Sequence, residues 1–201
     1  MDNHGFLQYN IIDFKEKRMI NMLENKNIVL GVTGGIAAYK AAEIVSKLKK
    51  LNANVDVVMT KNACEFITPL TLRTLSKNEV ITDMFEQTKL YNPEHISLAI
   101  KADMILVAPA TANIIGKVAN GIADDMLSTT IMATKAPVIF ALAMNENMLE
   151  NPIVQSNIDK LKEYGYQFIE ADCGMLACGT EGKGRLAKIE VIIEEVNKML
   201  S

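Results

Sequence analysis

Cysteine is scarce in this chain: Cys64, Cys173 and Cys178 are the only three in 201 residues. An odd, sparse set without CxxC spacing excludes a disulfide framework and fits a reducing compartment, with at least one thiol free. No pair drawn from these cysteines and His95 has the usual spacing of zinc ligands. Long apolar runs are also lacking. Each breaks off well short of the roughly 18 residues that a membrane-crossing helix needs, and the N-terminus has no apolar signal core. A cytoplasmic protein without a membrane partner is therefore expected. Nor is there a dense run of lysine and arginine, the formal charge being -3 and the pI about 5.5. That leaves no electrostatic footprint for nucleic acid, so any bound phosphate must be held by local geometry.

What is present is a globular composition, 49% hydrophobic and 22% charged, which excludes disordered and collagen-like classes. Against about 150 residues per domain, 201 residues make one α/β-sized domain with a short appendage. Residues 1–26 are polar and irregular and read as an N-terminal extension outside the core, without order of its own. Met19 or Met22 would serve as the start. The first strand is Asn27–Thr33, followed by Gly34-Gly35 and a helix with the apolar stripe Ala37, Ala41, Ile44/Val45, Leu48, Leu51. Asn54–Met59 is a second strand, apolar at nearly every position, as a parallel sheet covered on both faces requires. Strands at Asp103–Val107, Ala136–Ala141 and Tyr166–Ile169 alternate with helices at Ile114–Val118, Asp124–Thr134, Pro152–Tyr164 and Ile189–Leu200. This alternation predicts an open, doubly wound parallel sheet with ligands at the carboxyl ends of its strands. The stretch Gly174–Gly184 is too rich in glycine for a regular element and reads as a functional loop.

Several segments could carry chemistry. Gly34 and Gly35 stand between a strand and a helix N-terminus, where main-chain N–H groups bind anions. Neither G-x-G-x-x-G nor a P-loop is present, and a plain tight turn explains the pair equally well. Ala108-Pro-Ala-Thr-Ala-Asn113 puts small residues, a hydroxyl and an amide at a strand end, suited to a flat polar ring. Helix capping by Thr111 or Asn113 is the alternative. Asp124 and Asp125 read as the start of a helix, where carboxylates meet the positive end of the dipole, before they read as a metal or acid/base pair. His95 lies where a helix begins, a position open to a structural or a chemical role. Cys178, between Ala177 and Gly179, could approach a ligand as acid or nucleophile or be a small buried residue.

Taken together, the segments resemble the flavin-containing cysteine decarboxylases, from about Lys26 to Leu200. The resemblance is carried by TGGIAAYK at Thr33–Lys40, HISLAIKAD at His95–Asp103, APATAN at Ala108–Asn113, ADDMLST at Ala123–Thr129, AMNENM at Ala143–Met148 and LACGTEGKGRL at Leu176–Leu186, in the family's order. It implies a flavodoxin-like Rossmann fold in a single domain, 27–201, assembled as a homotrimer or homododecamer with FMN near a subunit interface. By position, Gly34, Gly35, Ile36, Thr60, Phe66, Ala110, Thr111, Asn113 and Ala123 would hold FMN. His95 would be the active-site histidine, Met144 and Asn145 would bind substrate, and Cys178 would be the acid of the reducing step.

The implied reaction is decarboxylation of 4′-phosphopantothenoylcysteine to 4′-phosphopantetheine in coenzyme A biosynthesis. Loss of CO2 from a cysteine amide leaves a carbanion without an electron sink. Oxidation of the thiol to a thioaldehyde, with FMN accepting the hydride, creates one and yields an ene-thiolate. Phosphorylated substrate would come from a separate phosphopantothenate–cysteine ligase, since the chain stops at Ser201. Departures from the family pattern are Leu142, where proline is usual, and Leu186-Ala187-Lys188-Ile189, where Met and then Glu-Pro are common. They bear on the shape of the substrate clamp. Two other readings are a peptidyl-cysteine oxidative decarboxylase, which is not expected to carry Cys178, and a non-catalytic FMN-binding regulatory or electron-transfer protein, which would lack His95 or Cys178. A flavin prenyltransferase would open its first turn with Gly-Ala-Ser-Gly.

Overall fold

The computed structural model describes residues 23–85, 94–175, 177, 179 and 181–201. Strands that are apolar at successive positions can be covered on both faces, and the central sheet uses them so. It contains β1 (Asn27–Val32), β2 (Asn54–Met59), β3 (Val80–Ile81), β4 (Met104–Ala110), β5 (Val138–Leu142) and β6 (Gln167–Ile169), all parallel, in the order β3-β2-β1-β4-β5-β6. This is the doubly wound Rossmann order. Without the two-residue edge strand β3 it reduces to the flavodoxin order, and in either description the direction of winding reverses between β1 and β4.

The period-2 alternation divides the core into two layers. Ile28, Leu30, Val55, Val57, Met104 and Leu106 face one side, where they meet α1 (Ala41–Lys50), α2 (Pro69–Ser76) and α8 (Ile189–Leu200). Val29, Val58, Ile105, Val107 and Phe140 face the other, against α3 (Glu94–Lys101), α4 (Ala112–Ala119), α5 (Met126–Ala133) and α7 (Pro152–Glu163). A single turn, α6 (Glu146–Leu149), lies between β5 and α7. Among the described residues no helix is long and apolar enough to cross a membrane.

Four expectations change. Gly174–Gly184 is not a plain loop: β7 (Asp172–Met175) and β8 (Glu181–Arg185) pair as an antiparallel ribbon. Strand β4 runs beyond Val107 to Ala110, with a register shift that accommodates Pro109. The first helix opens as a 3-10 turn over Ile36–Lys40 before α1. Within the stretch expected outside the core, Leu23 is 1% exposed and its N–H donates to the carbonyl of Leu51 at 3.1 Å. Residues 1–22 lie outside the described residues.

Candidate functional site

The reversal between β1 and β4 opens a cleft of about 760 Å³ at the carboxyl ends of the strands, within the range of small-molecule sites. Thr33, directly after β1, is 2% exposed. Its hydroxyl donates to the carbonyl of Pro109 at 2.7 Å and accepts from the N–H of Thr111 at 3.2 Å, clamping the two strand ends together. Next comes Gly34, where a Cβ would collide with the Cβ of Asn62. The glycine thus serves the close pass of the turn over Lys61–Glu65. The 3-10 turn beginning after Gly35 has no side-chain cap, and neither has α4. Thr111 occupies the cap position of α4, but its hydroxyl meets Thr33 at 3.3 Å. Two sets of N-terminal N–H groups without side-chain caps therefore border one cleft, together with Gly34, Ile36 and Asn113.

The opposite wall comes from the end of β5 and the ribbon. Met144, Asn145 and Met148 line it, with Met175 and Arg185 from β7 and β8. Asn145 caps α6, its Oδ1 accepting from the N–H of Asn147 at 3.0 Å. The ribbon docks through its backbone: the N–H of Met144 donates to the carbonyl of Gly184 at 3.0 Å, and the N–H of Lys183 donates to the Glu146 carboxylate at 2.8 Å. A Cβ at Gly184 would strike the Met144 carbonyl, and one at Gly182 would strike the Glu146 carboxylate.

The structure therefore brings Gly34, Gly35, Ile36, Thr111, Asn113, Met144 and Asn145 to one cleft. Thr60, Phe66, Ala110 and Ala123 do not line it. Thr60 caps the turn Lys61–Glu65, Phe66 is 47% exposed, Ala110 is buried in β4, and the Ala123 carbonyl accepts from the Thr129 hydroxyl. His95 stands half-buried on the first turn of α3 and is not among the lining residues of the cleft. Cys178 lies outside the described residues. Asp125 caps α5 in a reciprocal pairing with Ser128, and Lys117 bridges Asp124 at 2.6 Å and Asp125 at 2.7 Å. Burial raises the Asp125 carboxyl, but the Lys117 ammonium and the Ser128 donors outweigh it and hold the carboxyl below its usual range. Burial, with Glu65 nearby, pushes the Cys64 thiol up. Sequence reasoning passed over Tyr39, Lys40, Met175 and Arg185, all of which line the cleft. Tyr39 and Lys40 belong to the 3-10 turn after β1, where no spacing marks them, and Met175 and Arg185 are aimed by the docking of the ribbon.

Comparison with known proteins agrees with this architecture. Residues 16–201 match the Flavoprotein family. The chain is 53% identical over 177 residues to the coenzyme A biosynthesis bifunctional protein CoaBC of Bacillus subtilis, covering 88% of this chain and 44% of that protein. It therefore spans less than half the length of that relative. It is 45% identical over 177 residues to a probable phosphopantothenoylcysteine decarboxylase of Streptococcus mutans, covering 87% of this chain and 99% of that protein. A solved structure of a PPC decarboxylase mutant complexed with pantothenoylaminoethenethiol superposes with a TM-score of 0.77 at 29% identity, covering 86% of this chain and 97% of that one. By fold, cleft and sequence, the chain belongs to the Flavoprotein family.

Proposed function

We propose that this chain catalyses the FMN-dependent decarboxylation of 4′-phosphopantothenoylcysteine to 4′-phosphopantetheine in coenzyme A biosynthesis. The observation that carries this reading is the cleft at the strand reversal, which joins uncapped N-terminal N–H groups, two asparagine amides and methionine side chains, the charged groups among its described lining residues being cations. That set fits FMN. The N–H groups around Gly35 and at the start of α4 would hold its phosphate, while Ile36 and Asn113 would border its ring. Thr60, Phe66, Ala110 and Ala123, assigned to the cofactor by their position in the family, are not among the residues lining this cleft. When bound, FMN would supply the hydride acceptor that converts the cysteinyl thiol into an electron sink for loss of CO2 and, once reduced, would return the hydride that restores the saturated thiol.

The chain's own groups bind, orient and move protons. The Asn145 amide and Met144 position the substrate, His95 handles a proton in the oxidation and decarboxylation half, and Cys178 protonates the ene-thiolate carbon. The exposed Ile96 and Ile100, 40% and 79% accessible, share α3 with His95. This apolar face supports a homotrimer in which one copy completes another's site, the homododecamer being a multiple of it. The protein works in the cytoplasm, supplied by a ligase that joins cysteine to phosphopantothenate.

An absorbance spectrum of the purified protein, followed by mass spectrometry of phosphopantothenoylcysteine incubated with it, tests the reading. A flavin spectrum and loss of CO2 alone are expected. Loss of CO2 together with two hydrogens would indicate the peptidyl-cysteine type of reaction. Unchanged substrate would indicate a binding protein, and failure to take up FMN would overturn the assignment.

A further inference from the structure

Among the described residues lining the cleft only Lys40 and Arg185 carry charge, and both are cations. Arg185 ends strand β8 opposite Asp172 in the ladder. No ion pair joins the two; the arginine stem lies instead over Gly174, where a Cβ would stand 2.5 Å from Nη1 and 3.2 Å from Cδ. Glycine at 174 thus keeps open the seat that Arg185 occupies at the exposed rim of the cleft. A planar guanidinium offers forked donors that match the oxygens of a phosphate or carboxylate, and here no carboxylate among the described lining residues competes for it.

We infer that Arg185 is a specificity-determining residue that recognises the phosphomonoester of the substrate, at the end remote from the reacting carbon. The inference rests on the decarboxylase reading, and the chemistry of that reaction selects between the substrate's two anions. A guanidinium paired with the departing carboxylate would stabilise the ground state more than a transition state whose charge is moving onto carbon, and would slow the step. A cation held at the rim can bind the permanent dianion without that cost, so that binding energy from the far end positions the reacting end.

The test uses the FMN-loaded protein and the product as probe. Calorimetric titration with 4′-phosphopantetheine and with pantetheine should give the wild type a roughly 10- to 100-fold preference for the phosphorylated compound. Arg185→Gln should abolish that preference and leave flavin content and pantetheine affinity unaltered, while Arg185→Lys keeps part of it. Retention of the preference in Arg185→Gln, an equal loss for both compounds, or loss of flavin would overturn the inference. So would an equal rise in KM for phosphorylated and unphosphorylated pantothenoylcysteine, which would assign Arg185 to the carboxylate. A wild type that prefers the phosphorylated probe yet releases no CO2 would remove the decarboxylase reading and leave the role of Arg185 standing.

Discussion

Thr33 and Pro109 lie in adjacent strand ends, and the buried hydroxyl of the first donates to the carbonyl of the second at 2.7 Å. Because the same hydroxyl accepts from the Thr111 N–H, one side chain satisfies two main-chain groups at the floor of the cleft. Thr33→Val keeps the shape and strands both groups, at a cost of about 1–3 kcal/mol. Urea unfolding should record that loss and show Thr33→Ser recovering most of it; a Val variant as stable as wild type would deny the clamp its role.

Gly184→Ala places a methyl group against the Met144 carbonyl. The ribbon must then move off α6, so substrate affinity should fall at least tenfold, with a stability cost of roughly 1–3 kcal/mol. Gly121, at φ +68 with nothing within 4 Å of an added Cβ, is the control: Gly121→Ala should weaken folding modestly and leave the ribbon's protection from proteolysis intact.

The depressed Asp125 carboxyl makes a pH prediction. A group whose folded pKa lies below its unfolded one contributes stability above the unfolded value, here the ordinary 3.8, and loses that contribution as the pH falls through the folded value. Asp125→Asn keeps a good cap but gives up the charge facing Lys117. The stability gap between wild type and variant should be constant near neutrality and close on acidification below about pH 4. A gap independent of pH would mean that the Lys117 pair contributes nothing.

The proposed chemistry divides between two residues. His95→Asn should abolish CO2 release while the yellow chromophore stays bound, and an active variant would return His95 to a structural role. Cys178→Ser should release CO2 but deliver a product short of two hydrogens. Normal yield of saturated product from that variant would exclude Cys178 as the acid.

If copies of the chain meet on α3, then Ile100→Asp buries a carboxylate without a partner in the contact. Light scattering should show the assembly dissociating and decarboxylation lost together. A variant that remains fully assembled would move the contact elsewhere.

The sheet was legible because burial writes itself into the sequence. Asn54–Met59 and Ile189–Leu200 match their elements in full, and of the Asp124-Asp125 pair Asp125 caps a helix as the composition suggested. The ribbon was not legible. Its glycines at 182 and 184 are fixed by the Glu146 carboxylate and the Met144 carbonyl, partners nearly 40 residues away, and no local pattern carries such a contact. Pro109 likewise looked like the end of a strand, whereas a register shift lets β4 pass through it. Of the candidate site, the residues at strand ends were readable. Those that the ribbon aims into the cleft, Met175 and Arg185, became recognisable only once the ribbon was placed.

The main-chain attachment of that ribbon separates two tasks that proteins often entangle. Docking is carried by the Gly184 carbonyl and the Lys183 N–H, atoms that every non-proline residue possesses. The side chains at 175 and 185 owe nothing to the anchorage and can be exchanged without unseating the strand pair. The ribbon is thus a fixed mount with replaceable tips, and a change of substrate could be reached by altering two side chains on an unchanged scaffold.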